Sequence, residues 1–341
     1  MHIQEGQMKV FISGMAGFLG SHLADRFLEK GWEVSGCDNL IGGYEGNVPD
    51  NATLYKSDCS SLSEMNYVLN MEKPDVVYHC AAIACEGLSV FSPHIISNSI
   101  YMGTVGILTA SIKNGVKRFV NTSSMARYGA IEIPFTEDMK CEPQDPYGIA
   151  KRSVEDVVKN MCETHGVEYV NMVPHNIIGP RQKFDDPYRN VASIMINRML
   201  QGKQPIIYGD GLQSRCFSFV QDCISCLEKA ATLDVVVGET INIGPDEEFV
   251  TIKDLAYKIA DLLDFKIDPI YITGRPREVK YATCSSDKAR DLLGYKTTYT
   301  LDRGLREMID WIKEKGPKPF NYHLPIEIEK GVPETWNKKL L

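Results

Sequence analysis

An apolar run that breaks into evenly spaced glycines and resumes at once as an amphipathic helix leaves a chain few folds to choose from. Residues 8–13, MKVFIS, have the β-branched and aromatic content of a short buried strand. Residues 14–20, GMAGFLG, place Gly14, Gly17 and Gly20 in one turn, and FLGSHLADRFLEK follows with apolar residues at helical spacing. In such a turn the missing side chains permit tight bending and close approach of backbone to a pyrophosphate. The helix N-terminus adds free N–H donors and a partial positive charge. Glycines also end strands for purely conformational reasons, so the rest of the chain has to decide.

The same beat recurs. WEVSGC, DVVYHC, KRFVNTSS and VEYVNMV read as further short buried strands, and stretches such as NSIYMGTVGILTASIKN as helices between them. Strand, helix, strand repeated in this way predicts an α/β protein, a Rossmann-type doubly wound parallel sheet with helices on both faces. After residue 177 the rhythm changes: loops such as GPRQKFDDPYRN precede TIKDLAYKIADLLD, a helix with Thr251 as its cap. We expect a dinucleotide-binding domain over residues 1–176, to which 221–245 returns as a further helix and strand. A smaller mixed α/β substrate domain is expected over 177–220 and 246–341.

A formal charge of -8 argues against non-specific affinity for nucleic acid or anionic membrane, both of which need clustered Lys and Arg. An anionic ligand must then be held by local cations. No eighteen apolar residues follow one another without polar interruption, and MHIQEGQMKVFIS lacks the basic start and long apolar run of a leader. A cytoplasmic protein without membrane insertion is expected. Ten scattered cysteines fit reduced thiols. Cys223 and Cys226 form the one suggestive pair, but no second ligand pair accompanies them and their i, i+3 spacing suits one helix face, so no metal is expected.

The second strand ends at Asp38, either an ordinary turn carboxylate or an acceptor for the hydroxyls of an adenosine ribose. Its neighbour Asn39, where arginine would favour NADP, points to NAD. Tyr147 and Lys151, four apart in YGIAK, share one helix face. A free tyrosine, with a pKa of about 10, is a poor base at neutral pH, and a nearby ammonium favours its phenolate. Tyr and Lys at this spacing also occur as plain surface pairs; here they follow the TSS strand end at 122–124 and the glycine turn.

Together GMAGFLG, Asp38, Asp58, PDVVYHCAA at 74–82, Asn98, TSS at 122–124 and YGIAK at 147–151 resemble the extended short-chain dehydrogenase/reductases. More narrowly, they resemble the NAD-dependent nucleotide-sugar epimerase/dehydratase group. The likeness runs from about residue 8 to about 295 and continues through NIIGPRQ, GDGLQSRCFSF and GRPREV. It implies NAD held by Gly14, Gly17, Phe18, Leu19, Gly20, Asp38, Asn39, Asp58, Cys59, Ala81, Ala82 and Asn98, with Tyr147 and Lys151 beside them. His79 is read as a satisfied strand residue. Catalysis is implied for Ser124, Tyr147 and Lys151, with Ser124 hydrogen-bonding the reacting oxygen and helping to shuttle its proton.

In the related 4,6-dehydratases two acidic residues follow that hydroxyl; here Met125 and Ala126 stand in their place, and neither can move a proton. Position 126 also lacks the cysteine of the 3,5-epimerases and the glutamate of the decarboxylating relatives. What remains is 4-epimerisation: oxidation at C4, turning of the keto-sugar, and return of hydride to its other face.

By the same resemblance Arg215 and Arg275 contact a diphosphate, and Asn176 and Asn190 lie near diphosphate and nucleotide. Ala282 falls near a gatekeeper position, where a small residue admits a 2-acetamido group. The chain departs from the family pattern at Val173, at His175 and at Arg277-Glu278. It departs also at Arg127, which either contacts an acidic sugar or, on the slightly stronger argument, points to solvent. His175 either touches substrate or packs as a polar core residue. The expected protein is a homodimeric NAD-dependent 4-epimerase of a UDP-hexose, UDP-N-acetylhexosamine or UDP-uronate, paired through helices near 98–114 and 147–163. Its rivals are a nucleotide-sugar dehydratase or keto-sugar reductase of the same fold, and a non-catalytic NAD-binding sensor or scaffold.

Overall fold

In the computed structural model, which describes residues 8–341, strands β1 (Lys9–Ser13), β2 (Glu33–Asp38), β3 (Thr53–Lys56), β4 (Val76–His79), β5 (Arg118–Thr122) and β6 (Glu168–Pro174) follow one another. Residues 1–7, the start of the expected first domain, lie outside the described residues. Shorter strands come next: β7 (Ile177–Ile178), β8 (Ile206–Tyr208), β9 (Ser214–Arg215) and β10 (Ser218–Phe219). The last are β11 (Thr240–Ile243), β12 (Val250–Thr251), β13 (Ile270–Ile272) and β14 (Tyr281–Ala282). The helices are α1 (Phe18–Glu29), α2 (Leu62–Glu72), α3 (Glu86–Ser89), α4 (Pro93–Ser97), α5 (Gly103–Lys113) and α6 (Pro146–His165). They continue with α7 (Val191–Leu200), α8 (Val220–Ala230), α9 (Ile252–Leu263), α10 (Asp287–Leu293), α11 (Leu301–Lys315) and α12 (Glu334–Asn337).

Seven of the strands make one parallel sheet in the order β11-β6-β5-β4-β1-β2-β3. Alternation of side chains explains why both of its faces need cover. Val10, Ile12, Val76 and Tyr78 pack on one side with Leu23 and Phe27 of α1 and Leu227 of α8. Phe11, Val77 and Phe119 pack on the other with Met65 of α2, Ile107 of α5 and Val158 of α6. Each such side chain taken fully out of water contributes about 1.5–3 kcal/mol. The first core does not stop at the sheet: it runs on to Leu255 and Ile259 of α9 and to Leu305, Met308 and Ile309 of α11.

The sheet positions the site through its order. β1 pairs with both β2 and β4, so the chain turns in opposite directions on either side of it and the loops after β1 and β4 part. The crevice opens there, at the carboxyl ends of the strands. A π turn, Asn98–Met102, joins α4 and α5 into one helix over Pro93–Lys113, and such turns commonly mark functional positions. That helix has the length and mean hydropathy, 1.4, of a bilayer span, but half of its apolar window is buried, packed against α2 and α6.

Beyond α11 the chain crosses back over the molecule. The Asn321 N–H donates to the Asp185 carbonyl at 2.8 Å, and the Glu327 and Ile328 N–H groups to the Phe91 carbonyl at 3.0 and 2.8 Å. The Glu327 carboxylate accepts from the His94 and Ile95 N–H groups, answering free donors at the start of α4. Trp336 then settles among the rings of Phe91, Tyr188 and Tyr208.

Candidate active site

A continuous cleft of about 600 Å³ runs from the glycine turn, past the end of β5, to the loops after β9 and β13. Among the residues singled out in the sequence for cofactor, catalysis and substrate, Ala282 alone lies outside it. At one end Gly14 has φ +73°, and a methyl group there would meet the Ala81 backbone at 2.8 Å. A methyl on Gly20 would meet the Gly14 carbonyl at 2.2 Å, so the turn closes only without side chains. Gly17 caps α1 with no side chain to accept from it, which leaves the first-turn N–H groups of Phe18 and Leu19 without acceptors among the described residues.

Asp38 holds this end together. One carboxylate oxygen accepts from the Ala16 N–H at 3.0 Å and the other from the Leu40 N–H at 2.8 Å, with the Gly17 N–H also bearing on the carboxylate. Burial raises its carboxyl, while these N–H groups and Arg189 oppose the rise. Asn39 donates to Asp58 at 2.8 Å, and Ser60 donates to the other Asp58 oxygen from both its N–H and its hydroxyl. Cys59, Ala81, Ala82 and Asn98 complete the wall.

In the middle, α6 carries Tyr147 and Lys151 one turn apart. The sequence DPYG starts that helix: Asp145 is the N-cap, its side chain accepting from the Gly148 N–H at 2.8 Å, and Pro146 occupies the first turn. Lys151 donates to the Thr122 carbonyl at 2.8 Å, and burial lowers its ammonium to about 8. Tyr147 is 7% exposed. Burial pushes its phenol well above the ordinary value, the Ser124 hydroxyl opposes that, and Glu86 and Asp145 add to it. Ser124 caps the turn that follows β5, its hydroxyl accepting from the Ala126 N–H at 3.2 Å. A phenol, a hydroxyl and an ammonium thus converge with no proton-transferring side chain at 125 or 126.

At the far end Arg215 gives its guanidinium to the carbonyls of Ser214, Val279 and Lys280. Arg275 lies over the Tyr208 ring at 4.9 Å and pairs with Glu278 at 2.5 Å, so the glutamate that departs from the family pattern is its counter-ion. Asn176 donates to the Cys216 carbonyl at 2.9 Å, and Asn190 caps α7 through the Ala192 N–H. Several buried polar atoms along the cleft have no hydrogen-bond partner among the described residues: Ser57 Oγ, Gln182 Oε1, Arg189 Nη2, Gln213 Oε1, Arg275 Nε and Trp336 Nε1. Their concentration here marks a surface made for a polar ligand.

Two expectations need correction, and for His175 the structure decides between the two alternatives. Ala282 sits on β14, where alternation turns Tyr281 outward and Ala282 into an apolar cluster with Met125, Phe135 and Val173, behind the cleft wall. Arg127 neither meets solvent nor lines the cleft. It is 4% exposed and paired with Glu155 of α6 at 2.8 Å, each charge answering the other where either one alone would be buried without a counter-ion. His175 is fully buried and bonded through Nε2 to the Pro245 carbonyl at 2.9 Å, so it packs and does not touch the cleft. Cys223 and Cys226 are free thiols buried in α8.

Sequence reasoning passed over Glu86, Arg189 and Trp336, all of which line the cleft. Arg189 was within reach, since it lies in the DDPYRN loop; its Nε pairs with Asp186 at 3.2 Å. For Trp336 no local signal exists.

The model of the NAD dependent epimerase/dehydratase family matches residues 10–244. A putative UDP-glucose 4-epimerase of Methanocaldococcus jannaschii is 31% identical over 308 residues, 89% of this chain and 98% of that protein. The crystal structure of UDP-glucose 4-epimerase from Thermotoga maritima with UDP-glucose superposes with a TM-score of 0.85 at 30% identity, covering 90% of this chain and 99% of that one. UDP-glucuronic acid 4-epimerase of Bacillus cereus, in complex with UDP-glucuronic acid and NAD, superposes with a TM-score of 0.84 at 28% identity, covering 91% and 100%.

Proposed function

The chain belongs to the NAD dependent epimerase/dehydratase family, and from that premise we propose that it inverts C4 of a nucleotide sugar with the help of NAD. The observation that carries this reading is the set of Ser124, Tyr147 and Lys151 midway along one cleft, with Met125 and Ala126 where an elimination would need acids. The residues present fit the dinucleotide: a turn that excludes side chains, unanswered N–H groups at the start of α1, Asp38 at the end of β2, and the unpaired hydroxyl of Ser57. NAD held there would supply the redox chemistry at C4, and its positive ring would favour the phenolate that burial alone opposes.

The protein's own part is to hold and move one proton. Tyr147 Oη takes it from the C4 hydroxyl and gives it back, Ser124 Oγ shares the hydrogen bond to the same oxygen, and the Lys151 ammonium, one helical turn on, favours the phenolate. Arg215 and Arg275 hold the diphosphate, so that the sugar alone can turn. On this reading residues up to 176 with 221–245 serve the cofactor, and 177–220 with 246–341 serve the nucleotide sugar. The family precedent also supports a homodimer, for which Tyr101, Met102 and Ile149 offer exposed apolar side chains on the α5 and α6 flank. Sedimentation at several concentrations tests that part.

Proton NMR of the purified protein with UDP-glucose, UDP-N-acetylglucosamine or UDP-glucuronate tests the activity. A second anomeric signal growing to a constant ratio, without net NADH absorbance, is the expected result. Stoichiometric consumption of reduced cofactor would replace it with a keto-sugar reductase, and no change with any sugar would favour a binding role.

A further inference from the structure

Between the reactive residues and the two arginines the cleft holds a carboxylate with no task in the scheme above. Glu86 opens α3, and its side chain is exposed to the cleft. Its backbone is fixed: Ser89 Oγ donates to the Glu86 carbonyl at 2.7 Å and reaches the helix-capping Asp145 at 3.3 Å. Gly87 leaves no slack beside it, since a methyl there would stand 3.0 Å from Arg275 Nη1 and 3.4 Å from the Trp336 ring. The carboxylate itself has no hydrogen bond or ion pair among the described residues. Its charged neighbours are Asp145, Arg215, Arg275 and Glu278, and it bears in turn on Tyr147.

Neither arginine pairs with it directly. Arg275 pairs with Glu278, and Arg215 donates to three carbonyls while keeping its charge, so both act on Glu86 only from a distance. Lys151 is turned to the Thr122 carbonyl and Arg189 to Asp186. Burial in the cleft and Asp145 raise the carboxyl, to about 7, against the pull of both arginines; the side chain still meets cleft water, which screens the rise, and at about pH 8 it carries its charge.

A nucleotide sugar with its C4 at Tyr147 and its diphosphate at Arg215 and Arg275 must lay its ring across Glu86. We propose that Glu86 selects the sugar by charge, accepting hydrogen bonds from hydroxyl or amide groups of a neutral hexose and repelling the C5 carboxylate of a uronate. The inference rests on the 4-epimerase reading and narrows it to neutral sugars. A like charge at this range in a cleft disfavours binding on the order of tenfold or more.

The test is calorimetric binding, at about pH 8 where Glu86 is charged, of UDP-glucose and of UDP-glucuronate to the NAD-loaded wild type, Glu86→Gln and Glu86→Asp, with the NMR assay run in parallel. Wild type and Glu86→Asp are expected to bind UDP-glucose at least about tenfold tighter than UDP-glucuronate, and Glu86→Gln to lose about tenfold of that ratio. Equal binding by the wild type, binding of neither sugar, or a ratio unchanged in Glu86→Gln overturns the proposal. Failure of the epimerase reading looks different: no new anomeric signal from any sugar while the binding ratio still responds to residue 86.

Discussion

Removing one partner of the Arg127–Glu155 pair should cost far more than any ion pair at the surface. Its side chains are 5% and 4% exposed and approach to 2.8 Å; Glu155 also accepts from the Ser123 hydroxyl, and Arg127 lies over the Tyr128 ring. Lys140 and Glu142, 86% and 53% exposed at 3.1 Å, set the contrast, since pairs of that kind are worth about 0–1 kcal/mol. Breaking a buried pair leaves the other charge desolvated without its near partner, at about 3–5 kcal/mol, roughly a fifth or more of the stability of an ordinary domain; Arg152, 3.7 Å from Glu155, puts Arg127→Met at the lower end of that range. Arg127→Met and Glu155→Gln should each lose that much in urea denaturation followed by tryptophan fluorescence, and the double variant should lose clearly less than their sum. Position gives a second readout. Glu155 lies one helical turn beyond Lys151, and Arg127 lies in the turn that Ser124 caps, so a loosened pair should lower kcat more than it raises KM. A loss below about 1 kcal/mol in either single variant, or strict additivity in the double, would refute the argument.

Other outcomes follow from the same geometry. Tyr147→Phe should lower kcat about 10²–10⁴-fold while the NAD content of the purified protein stays unchanged, read by absorbance after denaturation; equal loss of cofactor would make Tyr147 a binding residue instead. Because burial holds the Lys151 ammonium at about 8, kcat/KM should fall as pH rises past that value, and Lys151→Arg, charged throughout, should lose that limb; an unmoved limb assigns it to another group. His79 is held at about 3 and His22 at about 4 by burial, so between about 6.5 and those values the unfolded chain binds more protons and stability falls with falling pH. His79→Gln should shrink the drop in urea midpoint between pH 7 and pH 5; an equal drop in both proteins excludes His79 as its source.

What could be read in the sequence is what local spacing decides. The strand-to-glycine break, the DPYG start of α6 and the one-turn separation of Tyr147 and Lys151 are properties of neighbouring residues, and the structure keeps all three. What escaped depends on partners far along the chain. Arg127 looked like a solvent-facing loop residue because Glu155, 28 positions away, is its partner, and no local pattern reports that pairing. Ala282 reads as a gatekeeper from its place in the chain, but whether it faces the cleft or the core is set by the register of β14 against β9. Trp336 reaches the cleft only through a chain segment that recrosses the molecule, and Glu86 gains its significance from arginines more than a hundred residues on.

The pairing of β11 with β6 has a consequence for modularity. A fragment ending after Ile178 would retain the glycine turn, Ser124, Tyr147 and Lys151, yet its sheet would stop at β6, five of whose seven residues are buried in the whole chain. Residues 171–174 of that strand would present a bare backbone where Thr240–Ile243 now bond, an open template for any passing strand. The segments before and after residue 178 are therefore not interchangeable blocks. New preferences have to enter through the loops that hang from the common sheet, one contact at a time, as a single glutamate in α3 illustrates.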